Sequence, residues 1–404
     1  MSKTELACGI TQQFESIQLN GDTKRWRYPV FSRDIYEGQI LPYNEPCEIT
    51  CFSSQNDKHV CFDDRELKYY YPPSETELSQ GYVHHIKKNI FQEVHLDYLL
   101  DALTDLQSRS SDPNLTKADI VTWRGIISKI MCTPYQQGDP WEFRATRYDV
   151  KMKEKPKGTI YIEEQMTKSK RAFETNKSEH QSLMEYWGQK FESLATVSKP
   201  NPDKAELEQR AMKMVDASTM YCTVVKTKLG KTSLIMGAEI DCIEGTKPTK
   251  PEDVLSRYIE LKTSRTIVSQ RQKHNFDRHK LLKFWAQSYL IGVPRIVCGF
   301  RDDQGRIESL ETFKTKEIPT MAPEISGLWK PEVCLNFANH VLQWIRLVVK
   351  EDDPTVTYFI EWKKPWTQLT ITRERKYKAF LTQRFIDGET SSKCGGRRVR
   401  KTCH

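Results

Sequence analysis

The chain has 404 residues, 38% hydrophobic and 10% aromatic with nine Trp, which supports a large packed core and excludes a wholly disordered polymer. Its formal charge is +8, but the last fourteen residues, SSKCGGRRVRKTCH, hold five Lys/Arg and no acid; without those five charges +3 remains, too little to single out a polyanionic partner. There is no charged-then-apolar leader and no apolar run near the ~18 residues of a membrane span. Eleven irregularly spaced Cys, an odd number, fit a reducing compartment better than a disulfide framework.

Residues 1–21 are polar and are expected to be loose. Strand-like and helix-like segments then alternate without a clear linker or a repeat, so residues 22–386 are expected to form one mixed α/β domain. Residues 387–404 are expected to be a disordered basic tail, open to three readings: a nuclear-import signal, a sequence-independent nucleic-acid contact, or no specific partner. Within the domain, Arg109–Asn114 and Lys199–Asp203 have turn composition.

Early in the domain, Cys47, Cys51, His59 and Cys61 lack the paired spacing of a zinc site and read as thiols. The stretch KYYYPP, Lys68–Pro73, offers rings that could stack an RNA base, although ordinary Tyr/Pro packing is favoured. Leu96, Leu99, Leu100, Leu103 and Leu106 predict a helix over 95–107. A second helix is expected from Thr116, with Asp119 at capping-box spacing, Ile120, Trp123, Ile127 and Ile130 as its stripe, Arg124 at the stripe's edge and Pro134 as its stop.

A third helix, 180–195, places Leu183, Tyr186/Trp187, Phe191 and Leu194 on one side. Glu192 flanks that face, and Gly188 one turn earlier would permit close approach. A fourth, 274–290, buries Phe276, Leu281, Leu282, Trp285 and Tyr289, with Gln287 near its end; GVPRIVCGF reads as the next strand.

Between these helices lie two acid-bearing strands. In TSLIMGAEIDCIE, 232–244, alternation puts Leu234, Met236, Ala238, Ile240 and Cys242 on one face. Glu239 and Asp241 share the other, ~7 Å apart. In YIELKTS, 258–264, Glu260 and Lys262 share a face while Ile259 and Leu261 take the opposite one. The intervening GTKPTKPEDVLSR reads as a long hairpin connection. If the strands are antiparallel neighbours, Asp241 and Glu260 meet across the ladder. Carboxylates so close raise one another's pKa unless a divalent cation resolves the repulsion, and hard Mg²⁺ or Mn²⁺ suits such oxygens. Two such ions and a Lys would serve phosphoryl displacement. An acid followed by E-x-K is the strand order of PD-(D/E)xK nucleases. E-x-K alone also occurs on charge-alternating exposed strands, and with E-x-D before it both readings stand.

TWRGIISKIMCTPY (122–135), GQKFE (188–192), GAEIDC (237–242), YIELKTS (258–264) and RHKLLKFWAQSYLIGVPRIVCGFRD (278–302) together resemble the DXO/Rai family of RNA 5′-end decapping nucleases. ESLATVSKP and FKTKEIP are similar to its fungal nuclear Rai branch. The resemblance implies two twisted mixed β-sheets flanked by helices, with a PD-(D/E)xK-like site between them. It implies Glu192, Asp241, Glu260 and the Leu261 carbonyl as metal ligands, with Glu239 acting directly or through water. Lys262 and Gln287 would hold the scissile phosphate and the attacking water, and Arg124 the 5′ phosphates. The implied cofactors are two Mg²⁺ or Mn²⁺ ions. The implied activities are pyrophosphate release from triphosphorylated RNA, removal of incompletely methylated and NAD-type caps, and stimulation of a Rat/Xrn-type 5′→3′ exoribonuclease in the nucleus. A mainly non-catalytic subunit of such an exoribonuclease is the alternative, and a DNA nuclease of the superfamily a third. GQKFE departs from the commoner family form, which has an aromatic where Gln189 stands.

Overall fold

Branched and aromatic residues fill the strands, and strand pairing rather than local pattern decides how they are shared out. The computed structural model describes residues 16–20, 23–55, 59–87, 95–149, 158–321, 323–375, 377 and 379–388. The expected loose start and basic tail fall largely outside them. Among the described residues, eleven strands form one mixed sheet and six form another. None of the described helices is long and apolar enough to cross a membrane. The eight described cysteines are free thiols.

The part of the larger sheet that matters for the site contains β1 (Cys47–Gln55), β2 (Ile120–Trp123), β3 (Met220–Leu229) and β4 (Thr232–Glu239). β4 lies between β3, antiparallel to it with Cys222 opposite Glu239, and β2, parallel to it with Trp123 beside Gly237. The smaller sheet contains β5 (Cys242–Ile243), β6 (Tyr258–Arg265) and β7 (Arg295–Arg301). There β6 runs antiparallel to β5 and parallel to β7.

Four helices flank these sheets: α1 (Asp97–Arg109), α2 (Arg124–Cys132), α3 (Glu179–Leu194) and α4 (Leu282–Leu290). Leu99, Leu100 and Leu103 bury one side of α1, as their spacing predicts. α3 starts on a complete capping box, Ser178 with Gln181, which satisfies two of the backbone N–H groups left open at a helix start. Its Tyr186, Trp187, Phe191 and Leu194 pack with Ile259, Leu261 and Val297 into a core between helix and smaller sheet. The largest core joins α2, α4 and the helix Pro331–Val348 to the other layers.

Four expectations are corrected. Ile120–Trp123 is strand β2, not the start of a helix; its β-branched residues pair with two parallel neighbours, and only Arg124 onward winds. Thr116 hydrogen-bonds Gln107 and Asp119 receives Ser233, so no capping box forms. Gly188 is not needed for close approach, since a Cβ there would meet only Thr263 Oγ1 at 3.9 Å. The 245–257 connection is partly helical, over Pro251–Val254 and Leu255–Arg257.

Candidate active site

The site forms where the chain changes sheets. β4 ends at Glu239 and β5 begins at Cys242, so Ile240 and Asp241 make the crossing. The Ile240 N–H donates to the Tyr221 carbonyl at 3.0 Å, which keeps the crossing against β3. The crossing breaks the expected alternation: Ile240 and Ile243 enter the largest core, whereas Cys242 joins the α3 core.

In the smaller sheet Cys242 pairs with Ile259, which sets the preceding Asp241 beside Glu260. Asp241 Oδ2 accepts the Leu261 N–H at 2.6 Å. Glu260 is only 3% exposed and holds a cation on each oxygen, Lys262 Nζ at 2.5 Å on Oε1 and Arg124 Nη1 at 3.1 Å on Oε2. Arg124 reaches it because β2 delivers the first residue of α2 to this point. That delivery depends on Gly237, where a Cβ would lie 2.7 Å from the Trp123 ring. Gly299 on β7 likewise leaves room for the Phe191 ring, 2.8 Å from where its Cβ would be, and so seats the end of α3 that bears Glu192.

Glu192, Glu239, Asp241, Glu260, Lys262 and Arg124 all line one open cleft of about 1100 Å³. Burial, reinforced by Glu239 and Glu260, raises the Glu192 carboxyl to about 7 against the relief of Lys68 and Lys262. Burial and the neighbouring Glu260 and Glu192 hold Asp241 well above the usual carboxylate range. Burial opposes ionisation of Glu260 too, but Lys262 and Arg124 outweigh it and bring that carboxyl down to about 2. Burial disfavours the Lys262 ammonium, yet Glu260 and Asp241 keep its pKa above the ordinary value.

The cleft therefore contains two carboxyls starved of positive charge and one saturated with it. Among the described residues, no three His, Cys, Asp or Glu side chains converge as an ion-holding group, and Glu260 is turned onto its two cations. The donor chemistry fits a hard divalent cation: oxygen ligands share one cleft, and the two with raised pKa values are those a cation would relieve.

Five of the sequence-predicted side chains thus meet here with Arg124, and the buried Leu261 fixes Asp241 through its N–H. Gln287 does not join them: it is half-buried on α4 and is not part of the cleft wall. The preceding turn, Phe276–Leu281, is π-helical, yet Phe276, Leu281, Leu282 and Trp285 are buried as expected.

Sequence reasoning missed Lys68, which precedes the strand Tyr69–Tyr70 and enters the cleft because Tyr69 pairs with Ile243 of β5. The KYYYPP rings pack as expected for Tyr69 and Tyr70, which lie against the two cores, while Tyr71 stays more exposed with Arg210 over its ring and donating to its carbonyl. The informative residue was the Lys before them. Gln189 also lines the cleft, one helical turn before Glu192, and its Oε1 is buried without a hydrogen-bond partner.

A family model described as RAI1 like PD-(D/E)XK nuclease matches residues 44–386. The chain is 37% identical over 333 residues to the Neurospora crassa protein named decapping nuclease RAI1, covering 80% of this chain and 78% of that one. It is 34% identical over 356 residues to the Xenopus laevis decapping and exoribonuclease protein, with 84% of each covered. Among solved structures, Scheffersomyces stipitis Rai1 in complex with (3′-NADP)+ and calcium ion superposes with a TM-score of 0.77 at 27% identity, covering 87% of this chain and 97% of that one.

Proposed function

The chain belongs to the RAI1-like PD-(D/E)XK nuclease family, and from that premise we propose that it is a divalent-metal-dependent hydrolase of RNA 5′ ends. The reading covers release of pyrophosphate from 5′-triphosphates and removal of incompletely methylated and NAD-type caps. The observation that carries it is the meeting of Asp241 and Glu260 at the sheet crossing, with Lys262 and Arg124 on the same carboxylate.

Glu192, Asp241 and Glu260, with Glu239 and the Leu261 carbonyl beside them, would hold Mg²⁺ or Mn²⁺. When bound, such ions activate water and stabilise a leaving oxygen. The residues of the chain supply the rest. Lys262 places its ammonium where negative charge grows on the phosphoryl oxygens. Arg124, once parted from Glu260, offers a planar fork of N–H donors to the 5′ phosphates. Glu239 is the exposed member of the four carboxylates, and we assign it to the proton of the attacking water. Water adds to the α-phosphorus and the bond to the bridging oxygen breaks, leaving pyrophosphate and a 5′-monophosphate end.

We further propose a nuclear setting and stimulation of a Rat/Xrn-type 5′→3′ exoribonuclease, on the resemblance of ESLATVSKP and FKTKEIP to the fungal nuclear Rai branch. The test gives wild type and an Asp241→Ala/Glu260→Ala variant 5′-triphosphate, capped and 5′-monophosphate RNAs with Mg²⁺ or Mn²⁺. Pyrophosphate or cap release by wild type alone is expected. Equal product from both proteins overturns the site. No product from either, with a partner exoribonuclease still stimulated, leaves a binding subunit.

A further inference from the structure

Positive charge is shared unevenly in the acidic corner of the cleft. Both oxygens of Glu260 hold a cation, Lys262 Nζ at 2.5 Å and Arg124 Nη1 at 3.1 Å. Glu192, Glu239 and Asp241 have no ion pair among the described residues, and there Arg124 and Lys262 pair with no other acid. Exposure divides the group as well: the Glu260 side chain is 3% exposed, while those of Arg124 and Lys262 keep 13% and 25%. The cations are thus the accessible partners and the carboxylate the shielded one.

The frame holds these groups together. Arg124 is the first residue of α2, delivered by β2, and Lys262 follows Glu260 by two residues on one face of β6. Asp241, tied to the Leu261 N–H at 2.6 Å, sits beside the same carboxylate. A divalent cation drawn to Asp241 and Glu260 must therefore compete with Lys262 and Arg124 for the Glu260 oxygens. A phosphate drawn to Lys262 and Arg124 must compete with Glu260 for the same N–H donors. Each ligand frees the group that the other needs.

We propose that Glu260, Lys262 and Arg124 form a latch that couples metal and substrate: Glu260 passes to the divalent cation as Lys262 and Arg124 pass to the substrate's 5′ phosphate. Either ligand alone meets a closed latch. Binding of one then strengthens the other by a common factor, since coupling between two sites is reciprocal. The proposal rests on the hydrolase reading above and is tested by binding without turnover, so the two fail in different ways.

The phosphate arm uses a short, hydrolysis-resistant phosphorothioate RNA with either a 5′-phosphate or a 5′-hydroxyl. Fluorescence anisotropy of the full chain in chelator gives the preference for the 5′-phosphate, in which contacts to the rest of the RNA cancel. Glu260→Gln leaves both cations free and should raise that preference about fivefold or more, the low end of ordinary coupling between sites. Glu239→Gln removes a carboxylate that holds neither cation and should raise it far less. With Mn²⁺ added, wild type should gain a similar factor and Glu260→Gln little.

The metal arm is calorimetric titration of Mn²⁺ without RNA. Arg124→Ala should bind Mn²⁺ more tightly than wild type, and Arg124→Gln, which keeps more of the side-chain bulk, serves the same arm if Arg124→Ala melts early. Lys213→Gln, a cleft cation outside the latch, should match wild type. Equal effects of Glu260→Gln and Glu239→Gln in chelator, or wild-type Mn²⁺ affinity in a folded Arg124 variant, overturn the latch while the metal site stands. Mn²⁺ affinity unchanged in both Asp241→Ala and Glu260→Gln overturns the metal site of the hydrolase reading, and the latch with it.

Discussion

Arg124 Nη1 donates to Glu260 Oε2 at 3.1 Å, joining the first turn of one helix to a strand 136 residues later. A carboxylate 3% exposed would be costly to ionise alone, and this guanidinium and Lys262 are what keep it charged. Both are cations that a phosphate substrate also wants. On the proposed reading, Glu260 would release these cations to the substrate and would be relieved instead by a divalent ion.

Arg124→Ala should therefore damage catalysis more than folding. Loss of one hydrogen bond to a charged group is worth about 1.5–3 kcal/mol, or roughly 10- to 150-fold in kcat/KM for a 5′-triphosphate RNA. Arg124→Lys should recover only part, because an ammonium lacks the planar fork. Steady-state kinetics checks both. Unchanged kcat/KM in Arg124→Ala would remove this residue from the substrate's path.

Gly237→Ala tests the link from β4 to Arg124. The new Cβ would lie 2.7 Å from the Trp123 ring, so the ring, and with it the start of α2, must shift. Overpacking of this kind costs about 1–3 kcal/mol, and a misplaced Arg124 should lower activity as well. Pairing it with Trp123→Leu should restore much of the melting temperature by making room. If Gly237→Ala alone keeps wild-type activity and stability, the ring does not set the position of Arg124.

The pH dependence follows from Glu192 and Asp241. Burial with neighbouring carboxylates raises Glu192 to about 7 and Asp241 well above its usual range. In the metal-free protein the native state then holds more protons than the unfolded chain from the ordinary Glu value of ~4.3 up to about 7, so stability falls as pH rises through that window. A divalent cation binds the deprotonated form, and its affinity should rise about tenfold per pH unit for each proton displaced, the Glu192 contribution levelling off above about pH 7. Calorimetric titration of Mn²⁺ against pH reads this slope, and Glu192→Gln should reduce it. A pH-independent affinity would show that the ions do not bind at these carboxylates.

Much of this was legible because the relevant signals are local. The apolar side of α3, the leucine stripe of α1 and the one-face placement of Glu260 and Lys262 depend on residues close in sequence. Ile120, Trp123, Ile127 and Ile130 misled because a short buried strand followed at once by a helix can imitate one helical stripe. The parity change after Glu239 was invisible for a different reason: alternation assumes one sheet, and here the chain leaves one sheet for another. Lys68 had no local signal at all, since only the pairing of Tyr69 with Ile243 brings it in.

The last prediction concerns what holds the two sheets together behind the site. Glu48 of β1 accepts from Thr223 Oγ1 at 2.7 Å and from Tyr258 OH at 2.6 Å, and the Tyr258 hydroxyl lies 2.8 Å from that of Tyr221. Lys247 Nζ, 2.9 Å from the Tyr221 hydroxyl, closes the group. The cluster spans both sheets: Tyr258 begins the strand that carries Glu260, and the Tyr221 carbonyl receives the crossing residue Ile240. Burial pushes the Glu48 carboxyl up despite these partners, so the group depends on being fully bonded. Glu48→Ala leaves the Thr223 and Tyr258 hydroxyls without their acceptor and Lys247 with Asp64 as its remaining acidic partner, and should cost about 3–5 kcal/mol in chemical denaturation. Glu48→Gln keeps an acceptor oxygen and should cost much less. If the smaller loss in Glu48→Gln still comes with a large fall in kcat and weaker Mn²⁺ binding, the cluster sets the spacing of Asp241 and Glu260. If kcat and Mn²⁺ affinity follow stability alone, it serves only to join the sheets.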